Sequence, residues 1–316
     1  MSKVKKVLLT ILAALIGVLL LFCAAFYVFF DVPDWQKLDI SRLSALAQTS
    51  SMYDMNGELM SELRGSENRI IVSLDEIPLH TRQAFIAAED LRFYDHRGID
   101  VYRILGALRS NLKSGSLAEG ASTITQQLAK LTHLSAEKTI RRKLEEINLA
   151  FQIEKVYNKD EILAMYLNTV YFGRGAYGIQ AAAQAYFGVD AEDLTLNQSA
   201  SLAAIIKAPS IYAPHISPSN NRSRRQYILS VMAENGFISQ EEKQAALDES
   251  IWVLAQEAEK QLYSWYIDEA LRESAELLGL SADEVIQGGF KIYTAYDARL
   301  QTIADEVYAD SSFFPA

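Results

Sequence analysis

Residues 119–130 read Glu119-Gly120-Ala121-Ser122-Thr123-Ile124-Thr125-Gln126-Gln127-Leu128-Ala129-Lys130. A glycine and hydroxyl residues leading into an apolar-patterned run mark the start of a helix. Thr123, Gln127 and Lys130 fall at i, i+4 and i+7, so this helix presents a hydroxyl, an amide and an ammonium on one face. Free backbone N–H groups at such a start can hold an anion, although a Ser or Thr there is more often a simple cap. Upstream, Glu89-Asp90-Leu91-Arg92-Phe93-Tyr94-Asp95-His96-Arg97-Gly98 closes an apolar helix that Pro78 opens and that runs through Phe85 and Ala88 to about Asp90. Adjacent carboxylates at a helix C-terminus repel each other and meet the negative end of the dipole. Both effects raise a carboxyl pKa, which suits a general base; a solvated acidic pair is the plainer alternative.

Downstream, Arg141-Arg142-Lys143-Leu144-Glu145-Glu146 sets Arg142 and Glu146 at i, i+4. By default that is a surface ion pair worth under about 1 kcal/mol. Beside Lys130, however, Arg142 and Lys143 would complete a cationic pocket, and guanidinium and ammonium together fit a diphosphate. The block from Tyr166-Leu167-Asn168 to Gly173, Gly175 and Gly178 is mostly architectural, its glycines serving turns and close helix approach. Asn168 is either a satisfied core amide or a support for the site. Arg224-Arg225 opens a helix and reads as structural rather than catalytic.

The whole chain, 316 residues with a net charge of −10, is acidic, which argues against a broad nucleic-acid surface. An anion must therefore be held by a local basic cluster. The single cysteine, Cys23, excludes an intrachain disulfide, and the four histidines have no metal-ligand spacing, so a structural zinc site is set aside. Val7 to Phe30 carries no charge and is long enough to cross a hydrocarbon core. Lys3, Lys5 and Lys6 precede it and Asp31 and Asp34 follow, which places the N-terminus in the cytoplasm and the rest outside. The aromatic end of the run, Phe26 to Phe30, favours an uncleaved anchor over a cleaved signal peptide.

Beyond the anchor, Asn56-Gly57 between apolar-bearing segments signals a β hairpin, and Arg69 to Leu74 is a third strand candidate. Val101, Ile104, Leu105, Leu108 and Leu112 form one helical apolar stripe, read as core packing in preference to a stripe resting on the membrane surface. Residues 113–120 have the composition of a mobile loop. Further helices are expected over 162–167, 178–186, 199–207 and 222–235, with 209–221 an irregular connection. Gly288 to Tyr296 reads as a turn and strand, and 298–308 as a helix.

Taken in order, these segments resemble the family 51 glycosyltransferases, the peptidoglycan polymerases of class A penicillin-binding proteins and their monofunctional relatives. The patterns EDxxFxxHxG, GxSTxTQQLxK, RKxxE, YLNxxxxGxGxxG and RRxxxL all occur, between roughly Ser51 and Ser239. The resemblance implies a mainly α, lysozyme-like helical domain beside the membrane, after an N-terminal transmembrane helix and a small β hairpin region. Its organisation would be a cytoplasmic tail at 1–6, a signal-anchor at 7–30, linker and hairpin at 31–75 and the glycosyltransferase domain at 76–265. Residues 266–316 would start a linker to a missing transpeptidase domain, since Gly288 to Gln301 fits GGxxxYTxxDxxLQ. The substrate would be lipid II, polymerised with inversion into a growing β-1,4-linked glycan strand with release of undecaprenyl diphosphate at the bacterial cell membrane. Glu89 matches the family's base and Glu146 its second carboxylate. Lys130, Arg142 and Lys143 match diphosphate contacts, and Ser122, Thr123, Gln126, Gln127 and Asn168 polar or supporting positions of the substrate site. Asp90, Phe93 and His96 match positions around the base. Some members hold a divalent cation, magnesium or manganese, at the diphosphate. Moenomycin is the family inhibitor, and other cell-wall synthesis and division proteins are expected partners. Ala121 and Leu131 depart from the frequent glycine and asparagine of the family.

The parts list agrees with that chemistry. A glycosidase needs a carboxylic acid because a sugar alkoxide leaves poorly, whereas a diphosphate needs only charge neutralisation. The competing readings are a lysozyme-like hydrolase, for which the cationic cluster has no use, and a non-catalytic lipid-binding scaffold. Short S-x-x-K, S-x-N and K-[ST]-G matches, such as Ser110 to Lys113, are out of order and accidental.

Overall fold

The computed structural model describes residues 49–63, 68–106, 122–134, 139–255 and 264–309, with Lys5, Asp39 and residues 12–14 and 16–17. Most of the expected tail and anchor, residues 1–30, and the expected loop at 113–120 lie outside them. No helix among the described residues is long and apolar enough to cross a membrane.

The hairpin forms as strand β1 (Ser50–Tyr53) against β2 (Leu59–Leu63), antiparallel. Its turn is held by Asp54, whose Oδ1 accepts from the N–H groups of Asn56 and Glu58, both at 2.8 Å, while Gly57 takes φ +80°. The third strand candidate is corrected. Only β3 (Asn68–Arg69) is extended, and it pairs in parallel with β4 (Ala176–Tyr177) rather than with the hairpin.

Helices then follow in close order. They are α1 (Leu79–Glu89), α2 (Ile124–His133), α3 (Ile140–Val156), α4 (Lys159–Thr169), α5 (Ile179–Phe187) and α6 (Leu196–Ile205). After them come α7 (Pro209–Tyr212), α8 (Pro218–Glu234) and α9 (Gln240–Asp248). The stretch 209–221 is thus less irregular than its prolines suggested: Pro209 and Pro218 each sit at a helix start, where a missing N–H costs nothing. Thr123, Asn158, Thr195 and Ser239 cap α2, α4, α6 and α9 in reciprocal capping boxes.

Helix α6 runs through the middle of the core, with every residue from Ser199 to Ile205 buried. Its small residues let α1 and α8 approach closely, and its buried hydroxyls are satisfied. Ser199 Oγ lies 2.8 Å from Thr81 Oγ1, and Ser201 Oγ donates to Asn221 Oδ1 at 2.9 Å. Phe85 of α1 packs edge-on against Phe172, 5.8 Å between centroids.

The apolar stripe is also corrected. Residues 101–106 are helical, but Val101 and Leu105 are 52% and 58% exposed, so this part of the stripe is not core. Leu108 and Leu112 lie outside the described residues.

The last segment holds α10 (Ser264–Leu278), α11 (Ala282–Ile286), β5 (Lys291–Tyr293) and α12 (Ala298–Ala309). Strand β5 adds to β1 in parallel, giving the sheet order β2-β1-β5. Ser50 Oγ donates to the Val285 carbonyl and accepts from Phe290 N–H, and the Tyr53 and Tyr293 rings stack at 4.9 Å. Met52, Leu63 and Ile267 form a small separate core there. The segments before and after the main run of helices therefore share one sheet and one small core.

Candidate active site

Glu89 is the last residue of α1, and Asp90 leaves the helix with φ −156°. The two carboxylates diverge. Asp90 turns inward, 1% exposed, with His96 Nε2 at 3.0 Å from Oδ2 and the Ile124 N–H donating to the same oxygen at 3.0 Å. An ionised Asp only accepts, so His96 carries its proton on Nε2. Phe93 is fully buried beneath this turn, with the Lys159 ammonium 4.4 Å over its ring. Asp90, Phe93 and His96 therefore brace the segment that carries Glu89 and anchor it to the start of α2. Gly98 completes the brace at φ +86°, with its carbonyl accepting from Thr123 Oγ1 at 2.6 Å.

Glu89 turns toward α2. Its Oε2 accepts from Gln127 Nε2 at 2.9 Å, and Gln127 Oε1 in turn accepts from the buried Tyr166 hydroxyl at 3.2 Å. Arg224 Nη2 stands 3.8 Å from Oε1, and Arg103 donates to the Glu89 carbonyl. Burial raises the Glu89 pKa above the ordinary carboxyl range; the Gln127 bond and the charges of Arg224, Arg103 and Lys207 only partly oppose it. A carboxylate that is mostly desolvated, held by one amide and ready to take a proton suits a general base.

Glu146 stands apart with its side chain 3% exposed. Arg142 Nη1 donates to Oε2 at 3.0 Å, and Lys143 Nζ donates to Oε1 and also, at 2.7 Å, to Ser122 Oγ. The i, i+4 pair is thus not the exposed ion pair of the default reading, because its carboxylate is buried between two cations. Two positive groups on one carboxylate leave a net positive charge. Lys130 adds an exposed ammonium one turn beyond Gln127 on α2 and forms no ion pair among the described residues. Glu89 reaches α2 through Gln127, and Glu146 reaches Ser122, just ahead of α2, through Lys143.

Three residues matched to the substrate site bond within the protein. Thr123 and Gln126 are buried, and each bonds the other's backbone N–H, the Gln126 Oε1 contact being 3.0 Å. At the α2 start the Gln126 N–H is thereby taken by the cap, and the Ile124 N–H by Asp90. Asn168 is a satisfied core amide: Oδ1 accepts from Val72 N–H at 3.0 Å, and Nδ2 donates to the carbonyls of Val72 and Ala164. Arg224, read as structural, faces Glu89, and the sequence reading assigned no role to Arg103, Lys207 or Tyr166 there. Nothing in their spacing signals it, because 103, 166, 207 and 224 come from separate elements. Leu131 is 42% exposed beside Lys130, while Ala121 lies outside the described residues.

Among the described residues no group of three or more His, Cys, Asp or Glu side chains could hold a metal ion. Both Glu146 oxygens are occupied by cations, so among the described residues this cluster supplies positive side chains rather than a cation cage.

One helical domain thus carries a desolvated carboxylate bonded to α2 and a separate cluster of Arg142 and Lys143 around Glu146. Residues 56–233 match the family described as Transglycosylase. Penicillin-binding protein 1F of Bacillus subtilis (strain 168) is 40% identical over 308 residues, 97% of this chain and 42% of that protein. Penicillin-binding protein 1A/1B of the same organism is 45% identical over 287 residues, covering 87% of this chain and 30% of the relative. Penicillin-binding protein 1A of Escherichia coli (strain K12) is 40% identical over 276 residues, covering 87% and 32%. The chain spans less than half the length of these relatives. It belongs to the transglycosylase family, the family 51 glycosyltransferase domain of class A penicillin-binding proteins.

Proposed function

We propose that this chain is a peptidoglycan glycosyltransferase that polymerises lipid II into β-1,4-linked glycan for cell-wall synthesis, acting outside the cytoplasmic membrane. Glu89 accepts the proton of the acceptor sugar's 4-hydroxyl as its oxygen attacks the donor's anomeric carbon. The carbon–oxygen bond to the lipid diphosphate breaks, the electron pair leaves with the diphosphate, and the configuration inverts. Lys130, Arg142 and Lys143 neutralise the departing charge, with Glu146 fixing the last two in place. The exposed Val101 and Leu105 stripe suits contact with a lipid surface, and moenomycin is the expected inhibitor.

The observation that carries this reading is the placement of Glu89: desolvated and held by Gln127, three residues before Lys130 on α2. A glycosidase would gain nothing from the cations, since its leaving group is an uncharged sugar. The test is detergent-solubilised protein incubated with lipid II, wild type against Glu89→Gln, with glycan chains resolved on a gel. A general base contributes about 10²–10⁴-fold, so the variant should make almost no polymer. Equal polymer from both would overturn the role of Glu89.

A further inference from the structure

Arg224 and Arg225 are consecutive on α8 and so point about 100° apart around it. Arg224 faces Glu89, while Arg225 opens into a different pocket of about 500 Å³ between α8 and the end of α9. None of the residues around Glu89 or Glu146 lines it.

Arg225 is only 8% exposed, its Nε has no hydrogen-bond partner, and its guanidinium forms no hydrogen bond or ion pair among the described residues. Burying a charge without a partner is costly, and natural proteins rarely leave one so. The neighbouring groups do not discharge it. Burial pulls its pKa below the usual value, and Arg222, one turn earlier on the same face, adds repulsion. Glu249 attracts it only from a distance, since its carboxylate accepts instead from Thr195 Oγ1 at 3.2 and 3.4 Å. Asn221 also lines the pocket, but its amide is fully used by Ser201 and Tyr212. What is missing is an acceptor in front of Arg225.

The walls limit what that acceptor is. Leu247, Ile251 and Val253 give the pocket an apolar side. Asp248 and Glu249 line the same pocket and repel a dianion such as phosphate more than a monoanion, so the one buried guanidinium calls for a single negative charge. Arginine's planar fork matches a carboxylate through two parallel bonds. We propose that this pocket binds a monocarboxylate with a small apolar body, the carboxylate on Arg225 and the body against Leu247 and Ile251. A free small acid and the C-terminus of a peptide share that chemistry.

Calorimetric titration of the solubilised full chain tests this, using N-acetyl-valine, its amide, N-acetyl-alanyl-valine and inorganic phosphate. The acid should bind saturably, and the amide and phosphate at least tenfold more weakly. Tighter binding of the dipeptide would assign the site to a chain terminus; weaker binding would assign it to a free acid. Arg225→Gln should lose at least tenfold. Should it not fold, Ser250→Trp blocks the pocket from an exposed position that bears no part of the core. No saturable binding, equal binding of the amide, or binding that survives both substitutions would overturn the proposal. The readout needs no glycosyl transfer, so its failure is separate from failure of the catalytic reading.

Discussion

Neighbouring carboxylates at 89 and 90 receive opposite treatment. Asp90 is fully bonded and structural, whereas Glu89 is desolvated with one amide on it. Because burial raises the Glu89 pKa, activity should fall on the acid side at a pH above the ordinary glutamate value of about 4.3. A pH–rate profile for polymer formation measures that limb. The same shift has a stability sign. A carboxyl whose folded pKa is raised favours folding most below its unfolded pKa, and that contribution is lost as pH rises through the folded pKa. Glu89→Gln should therefore melt higher than wild type at pH 7.5 and converge with it near pH 4, as followed by circular dichroism. Tyr166 acts one step back. Its hydroxyl orients Gln127 so that the amide nitrogen meets Glu89. Tyr166→Phe should cost about tenfold in turnover, near the 1.4 kcal/mol of one hydrogen bond. It should also move the acid limb to higher pH, since the Gln127 bond lowers the Glu89 pKa. A purely structural tyrosine would leave the limb in place.

Elements bring these groups together through a few close approaches. Gly178 begins α5 at φ +83°, and a Cβ there would stand 2.8 Å from the Asn168 carbonyl oxygen. That carbonyl belongs to backbone and cannot swing aside. Gly178→Ala should destabilise the protein by about 2–3 kcal/mol, combining left-handed strain with the clash. A urea melt checks it; a change within about 0.5 kcal/mol would mean that α5 slides freely past α4. Helix α2 is the element on which the site turns. Its buried cap faces inward, Gln127 meets Glu89, and Lys130 faces solvent. Thr123 and Gln126 form a capping box, which uses the same residue types as a polar cleft lining, so spacing alone does not separate the two.

The molecule as a whole contains a large helical core and a small second one formed by residues more than two hundred positions apart. Met52 is fully buried in the second core, so Met52→Ala should cost that unit about 2–5 kcal/mol. Hydrogen exchange should then speed up together at 50–53 and 291–293, while the amides of α6 stay protected. Exchange that accelerates only in the hairpin would show that β5 stands without it.

What could be read from the chain alone was local. Helix positions followed from apolar spacing, caps and prolines, the turn at Asn56-Gly57 from residues that tolerate positive φ, and Glu89 and the Arg142–Lys143–Glu146 cluster from motif order. Tertiary structure decided which polar residues face inward, because burial depends on what packs opposite. Asn168 met the Val72 backbone, Thr123 met Gly98, and the stripe at Val101 and Leu105 met no core. It also set Arg224 and Tyr166 around Glu89 and joined β5 to β1. Those are contacts between distant segments, and no local periodicity encodes them.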